Sequence, residues 1–97
     1  MTFEWDEAKS RRNARQRRLP FELAEARFAS PTVEWEDARR DYGERRFIAV
    51  GRIGNRFLLC VYTWRHSRGE PIRRVISLRP AKRREIDVYR QAYPEAD

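Results

Sequence analysis

Short apolar segments along the chain predict a sheet of four to five strands. Aromatic and β-branched side chains, which favour strands, are concentrated in residues 3–5, 32–36, 47–53, 56–65 and 72–79. Only Gly54 and Asn55 separate the third segment from the fourth, and a two-residue loop that opens with glycine is typical of a type II′ hairpin. This register places Phe47 opposite Tyr62. Residues 66–71 are expected to form a looser loop before the last strand.

Helix signals lie at both ends of the chain. Asp6 is a good N-cap for a helix that runs to about Arg17, although this helix has almost no apolar face. Pro20 suits the first position of a second helix, and Pro80 is expected to open a last one. The predicted order is β-α-α-β-β-β-β-α. The fold class is therefore α+β, with a mostly antiparallel sheet, two N-terminal helices and one C-terminal helix.

Length and the absence of targeting signals limit the class of protein. A chain of 97 residues leaves room for one core, so residues 1–97 are expected to form a single domain. The longest uncharged stretch, residues 57–64, is far shorter than the roughly 20 residues of a membrane helix. The acidic start is unlike a signal peptide, and the single Cys60 fits a reducing cytosol. We expect a cytoplasmic protein that has no membrane partner.

Positive charge is concentrated in one part of the chain. The net charge is +7, and 20 of the 22 basic residues are arginine. Residues 51–80 hold seven bases and one acid. Because a guanidinium group can grip a phosphate with two hydrogen bonds, this composition indicates a polyanionic partner. The alternative is a basic, solvated surface that binds nothing in particular.

The last predicted strand has two faces. Period-two alternation assigns one face to Arg73, Val75, Ser77 and Arg79, and the other to Ile72, Arg74, Ile76 and Leu78. The second set is more apolar and is expected to pack on the core, which leaves the first set for solvent or a ligand. If this strand neighbours the preceding one, Arg65 and Arg79 can meet on one surface, where an anion would stabilise them. The alternative is two solvated strand-end arginines.

Other candidates lie on the helices. Lys9, Arg12 and Gln16 form a second basic strip on the first helix, which either covers the same site or is simply solvated. Glu85, one turn from Lys82, is either a buried acid or part of a helix-surface pair. Neither a cluster with metal-ligand spacing nor a glycine-rich phosphate loop occurs in the sequence, so we expect no metal or other cofactor.

These residues suit one kind of chemistry that needs no cofactor. RNA can be cleaved by its own 2′-hydroxyl, so the protein needs only to align the attack, stabilise charge on the phosphate and move two protons. Lys9, Arg65 and Arg79 suit the stabilisation of charge. The residue that moves the protons is not obvious from the sequence.

Taken together, several segments resemble the BrnT family of bacterial toxins, in the order FEWDEAKSRRN, PFELA, DYGERR, VYTWR, RRVISLR and AKRREIDVY. The resemblance runs from about Phe3 to Tyr89. It implies a RelE-like fold, a ribonuclease activity that inhibits translation, and neutralisation by a bound BrnA antitoxin. It also implies that the basic active-site positions are Lys9, Arg65 and Arg79.

The full set of candidates combines the residues and the resemblance. The catalytic candidates are Lys9, Arg65, Arg79, Arg17 and Glu85. The RNA-binding candidates are Arg12, Arg73, Arg74, Ser77 and Arg84.

The end of the first helix departs from the family. Where the family commonly has Lys-His-Gly, this chain has Gln16, Arg17 and Arg18. Arg17 cannot release a proton near neutral pH. Arg18 must end the helix with a different cap or in a strained left-handed conformation. Trp64 also replaces an acidic residue that is often found before the strand-end arginine. Proton transfer is left to Glu44, Glu85, Tyr62 or water.

Partners follow from the resemblance and from charge. An RNA substrate is expected, together with an antitoxin whose acidic or amphipathic helix complements the basic face. The complex is expected to be a hetero-oligomer that touches DNA only through the antitoxin. The main alternative function is a weak or inactive binding module, which keeps the fold and its contacts without turnover. The triplet at residues 16–18 favours that alternative.

Overall fold

A computed structural model describes residues 2–94, which form one mixed sheet and three helices. The elements are β1 (Thr2–Glu4), α1 (Glu7–Arg17), α2 (Glu22–Arg27), β2 (Val33–Glu36), β3 (Phe47–Ile53), β4 (Arg56–Ser67), β5 (Glu70–Pro80) and α3 (Arg83–Ala92). The predicted order and the α+β class are confirmed.

The five strands lie in the order β1-β5-β4-β3-β2. The neighbouring pairs β2–β3, β3–β4 and β4–β5 are antiparallel, whereas β1 runs parallel to β5. Phe47 pairs with Tyr62 as predicted, and Gly54 has a φ of 57°, as a type II′ turn requires at its first central position. The β3–β4 hairpin was thus readable from its turn residues.

The connection between β4 and β5 is tighter than the sequence predicts. Residues 66–71 do not form a loose loop, because Ser67 pairs with Glu70 and only Arg68 and Gly69 make the turn. Both turn residues have positive φ, 54° and 79°, which is the type I′ geometry. Asparagine is the usual residue at the position of Arg68, so the turn signal was weak.

Side chains pack on both faces of the sheet. We call the face covered by α1 and α2 the α1/α2 face, where Leu19 and Phe21 pack with Cys60 and Leu78. On the opposite face, the α3 face, Tyr89 packs with a group of strand residues, namely Ile48, Val50, Leu59 and Val61. The candidate site lies on the α3 face, between the sheet and one side of α3.

Residues at the helix ends determine where α1 begins and ends and where α3 begins. Asp6 caps α1 by accepting a hydrogen bond from the Lys9 N–H at 3.2 Å. Arg18 ends α1 with a φ of 58°, so the left-handed alternative is the one adopted. α3 begins at Arg83, three residues later than expected, because Pro80 still belongs to β5.

Candidate functional site

A shift in the pairing of β4 and β5 divides the arginines of β5 between the two faces. Val61 lies opposite Ser77 but Tyr62 lies opposite Val75, so Ile76 has no partner. One extra residue in a strand reverses the alternation beyond it. The prediction that four alternate residues share one face is therefore wrong.

Arg73 lies on the α1/α2 face, contrary to prediction. It is 9% exposed, and its guanidinium carbon lies 3.8 Å from the ring centre of Phe28, 4.6 Å from that of Tyr62 and 4.7 Å from that of Trp64. Such contacts are cation–π interactions. Arg73 is thus packed among aromatic rings on the face opposite Arg79, where it also borders a small cavity beside Phe3 and Phe28.

Arg74 also differs from the prediction. Period-two alternation predicts it on the core side, but it lies on the α3 face opposite Thr63 and forms an ion pair with Glu4 of β1. Its side chain is 31% exposed. Arg74 therefore lies away from the α1/α2 core, with its charge already paired.

The remaining β5 candidates line a groove of about 390 Å³ on the α3 face. The predicted residues in this groove are Ser77, Arg79, Arg84 and Glu85. Its other lining residues are Trp35, Arg39, Ile48, Leu59, Val61 and Val88. We call it the Arg79 groove. It brings four predicted site residues together beside an apolar floor.

Arg79 and Glu85 form a doubly hydrogen-bonded ion pair inside this groove. The two guanidinium nitrogens of Arg79 donate to the two carboxylate oxygens of Glu85 at 2.9 and 2.8 Å. Glu85 also accepts from the Lys82 N–H at 2.7 Å, and its side chain is 13% exposed. The hydrogen bonds from Arg79 hold the pKa of Glu85 below its ordinary value. Glu85 is therefore a mostly buried carboxylate.

Arg39 adds a further positive charge to the rim of the groove. Its guanidinium donates to both carboxylate oxygens of Asp37, at 2.7 and 2.8 Å. The Asp37 side chain is only 1% exposed and also accepts from the Tyr42 hydroxyl at 3.0 Å. The Arg39 hydrogen bonds lower the pKa of Asp37 to about 2. Asp37 thereby fixes Arg39 in place.

Sequence reasoning singled out none of the six other lining residues; three of them form the apolar floor, and the remaining three are Trp35, Arg39 and Val88. Trp35 and Val88 looked like ordinary apolar positions of a strand and a helix. Arg39 lies in a polar connection, where an Asp-x-Arg spacing alone is a weak signal. Their meeting depends on how β2 and α3 pack on the sheet.

Arg65 lies on the same face as Arg79 but at the other end of the sheet. Arg79 pairs with Leu59, six residues before Arg65 along β4, which corresponds to about 20 Å. Arg65 instead lies 3.5 Å from a carboxylate oxygen of Glu44. The two arginines do not meet, because the ends of neighbouring antiparallel strands point in opposite directions.

The α1 candidates lie beside β5 rather than over the groove. Arg17 donates to the carbonyl of Leu78 at 3.1 Å, and Asn13 donates to the same carbonyl at 2.8 Å. Lys9 and Arg12 are exposed. Because α1 packs on the α1/α2 side, the basic strip of Lys9, Arg12 and Gln16 does not cover the Arg79 groove.

Tyr62, a candidate proton carrier, is also on the wrong face for this groove. Its hydroxyl donates to Glu34, and burial raises its pKa, with Glu34 adding to the shift.

In residues 2–94, no group of three or more His, Cys, Asp and Glu side chains is placed to hold a metal ion. Glu85 is the ionisable carboxylate that the groove itself provides.

Comparison with known proteins identifies the family. Residues 5–85 match the family described as "Ribonuclease toxin, BrnT, of type II toxin-antitoxin system". A search of curated proteins finds no match. Across the described part of the chain, no helix has both the length and the apolar character needed to cross a membrane. The match covers most of the 97 residues, so this chain belongs to the BrnT family of ribonuclease toxins of type II toxin–antitoxin systems.

Proposed function

We propose that this toxin is a metal-independent endoribonuclease whose active site is the Arg79 groove. The observation that carries this proposal is the presence of three guanidinium groups, those of Arg39, Arg79 and Arg84, around one groove. Planar guanidinium groups bind phosphate oxygens with paired, charge-assisted hydrogen bonds. Arranged in this way, they can stabilise the extra negative charge of a phosphate under attack.

Glu85 supplies the base in this proposal. An RNA phosphate competes with Glu85 for Arg79, so substrate binding replaces the ion pair by an arginine–phosphate contact. Released from Arg79, the Glu85 carboxylate regains a more ordinary pKa and becomes able to accept the proton of the 2′-hydroxyl. The 2′-oxygen then attacks the adjacent phosphorus, the bond to the 5′-oxygen breaks, and that oxygen takes a proton from water. The products are a 2′,3′-cyclic phosphate and a 5′-hydroxyl end.

Arg65 has a different role in this account. It lies about 20 Å from Arg79 along the same face, too far to act on the same phosphate. A strand of RNA lying along the α3 face would reach both arginines. We therefore assign Arg65 to RNA binding at a distance, and Ser77 and Arg84 to binding beside the cleaved bond.

The family supports the biological setting that we propose. RNA cleavage in the cytoplasm would inhibit translation, and the protein antitoxin of the type II pair would be a BrnA-like protein. The two proteins would form a hetero-oligomer that contacts DNA through the antitoxin. The excess of basic residues suits both an RNA substrate and an acidic partner segment.

Cleavage of a defined RNA in the presence of EDTA tests this proposal. The wild-type toxin should cut the RNA, leave cyclic-phosphate ends, and spare the same sequence with 2′-O-methyl groups. Arg79→Ala should reduce the rate by about 100-fold or more, as loss of one charge-stabilising donor does elsewhere. Arg11→Ala is the matched control, because Arg11 is an exposed α1 arginine whose side chain is 63% exposed. Cleavage of the 2′-O-methyl RNA, or full activity of Arg79→Ala, would contradict the proposal.

A binding module without turnover is the second candidate. Two observations favour it: Arg17 occupies a position where family members commonly have histidine, and Glu85 is already paired with Arg79. In the same assay this candidate predicts that RNA stays intact while the 2′-O-methyl RNA is bound. Binding that Arg79→Ala weakens, without any cleavage, would establish it.

A further inference from the structure

We propose that Trp35 is a stacking platform for an unpaired nucleobase, so that the Arg79 groove binds single-stranded RNA. This inference rests on the proposed function and deepens it. The base would stack on the indole ring while Arg79 and Arg84 hold the adjoining phosphate. Trp35 would then be a residue that positions RNA and contributes to its selection.

The first support is the exposure of Trp35. Among residues 2–94, the large hydrophobic side chains that are exposed are Trp35, at 37%, and Val88, at 42%. Both line the Arg79 groove. Their position at one groove, rather than scattered over the surface, favours a role of the groove in binding.

The second support is the direction of the Trp35 side chain. Trp35 pairs with Ile48 across β2 and β3, so the two side chains lie on the same face of the sheet. Ile48 belongs to the floor of the groove. The indole ring therefore stands at the wall of the groove, and the short strand β2 holds it there.

The third support is the combination of this ring with nearby positive charge. Three arginines line the groove; Asp37 pairs with Arg39 and Glu85 with Arg79, so Arg84 leaves a net charge of one positive unit beside the exposed indole. Proteins that bind single-stranded nucleic acid combine these two features, because the backbone needs cations and the bases need flat aromatic surfaces. A volume of about 390 Å³ is within the range of small-ligand sites.

A segment of the antitoxin is the rival occupant. Its apolar side chains would cover Trp35 and Val88, and its carboxylates would face the arginines. RNA is favoured because Arg79, the most enclosed arginine of the groove, is already oriented to grip two oxygens of one anion, as its contact with Glu85 shows. The experiment below separates the two occupants.

The test measures binding of a fluorescein-labelled hexauridine with 2′-O-methyl groups, which cannot be cleaved by the 2′-oxygen, by fluorescence anisotropy. Trp35→Ala should weaken binding by about 5- to 150-fold, the range found when one stacking ring is lost. Trp35→Phe keeps a flat ring and should restore most of the affinity. Arg11→Ala serves as the surface control, and thermal melting checks that each variant is folded.

A second oligonucleotide separates stacking from phosphate binding. It carries abasic sugars at every position, so its phosphates are present without bases. The wild type should bind it at least as weakly as Trp35→Ala binds hexauridine, and Trp35→Ala should lose nothing further on it. A further loss on the abasic probe would overturn the stacking role.

The outcomes distinguish this inference from the function on which it rests. If Trp35→Ala binds hexauridine as well as wild type while Arg79→Ala does not, the stacking inference is overturned and the proposed function stands. If the wild type binds no RNA, both are overturned. If Trp35→Ala keeps its affinity for hexauridine but no longer holds the co-expressed antitoxin, the groove is a protein-docking surface and the inference is overturned.

Discussion

Replacement of Glu85 by glutamine should change three properties that depend on the Arg79–Glu85 pair: the stability of the fold, the affinity for RNA and the rate of RNA cleavage. The variant removes the charge that Arg79 contacts at 2.8 and 2.9 Å but keeps the shape of the side chain. Exposed pairs contribute roughly 0–1 kcal/mol, whereas breaking a buried pair costs roughly 3–5 kcal/mol. The two side chains are 27% and 13% exposed, so we expect a loss of about 2 kcal/mol.

Three measurements follow from this change. The melting temperature should fall by about 8–16 °C at neutral pH, given the size of the domain. Affinity for the 2′-O-methyl hexauridine should rise, because Arg79 no longer has a competing carboxylate. Cleavage should fall, because glutamine cannot accept the proton of the 2′-hydroxyl.

The pH dependence of stability gives a further check on Glu85. Its pKa is lowered in the folded protein, so its contribution to stability is present above the ordinary carboxyl pKa and is lost as the pH falls through the lowered value. The difference in melting temperature between wild type and Glu85→Gln should therefore shrink in acid. Asp87→Asn, on the same helix and 54% exposed, is the matched control and should change stability by less than about 0.5 kcal/mol. Unchanged stability together with unchanged RNA affinity in Glu85→Gln would refute the reasoning.

Further predictions concern residues outside the Arg79–Glu85 pair. Asp37→Asn should lower the melting temperature at pH 7, because it releases Arg39. The effect should vanish between about pH 4 and pH 2, since the pKa of Asp37 is lowered to about 2. An equal effect at all pH values would contradict this. Arg73→Met should leave RNA affinity unchanged, since Arg73 lies among aromatic rings on the opposite face, and anisotropy checks it. Arg18→Gly should stabilise the protein by about 1 kcal/mol in denaturant unfolding, because Arg18 adopts a left-handed conformation; a loss of stability would show that its side chain matters more than its backbone.

The order of elements was predictable because its signals are local. Asp6 caps α1, and Gly54 allows the β3–β4 turn, so a few residues decide each element. Pro80 ends β5 and does not open α3, so its prediction as the start of a helix is wrong. The error has a physical reason. Proline suits the first turn of a helix, but it is also tolerated at the end of a strand, and pairing with Leu58 keeps it in β5.

The candidate site was predictable only in part. Arg79 and Glu85 were identified, but alternation alone could not reveal that Ile76 is unpaired and that Arg73 therefore faces the other way. The separation of Arg65 from Arg79 depends on the direction of two neighbouring strands. Trp35 lines the groove because β2 pairs with β3, which places Trp35 opposite Ile48. No local sequence pattern indicates that pairing.

A crystal structure of the toxin with the 2′-O-methyl hexauridine tests the central claim most directly, because it locates the bound phosphates. We predict a phosphate within about 3 Å of the Arg79 guanidinium nitrogens, with Glu85 released from Arg79 and facing the modified 2′-oxygen. A structure in which the Arg79–Glu85 contact is intact and the RNA lies only near Arg65, or on α1, would contradict the account.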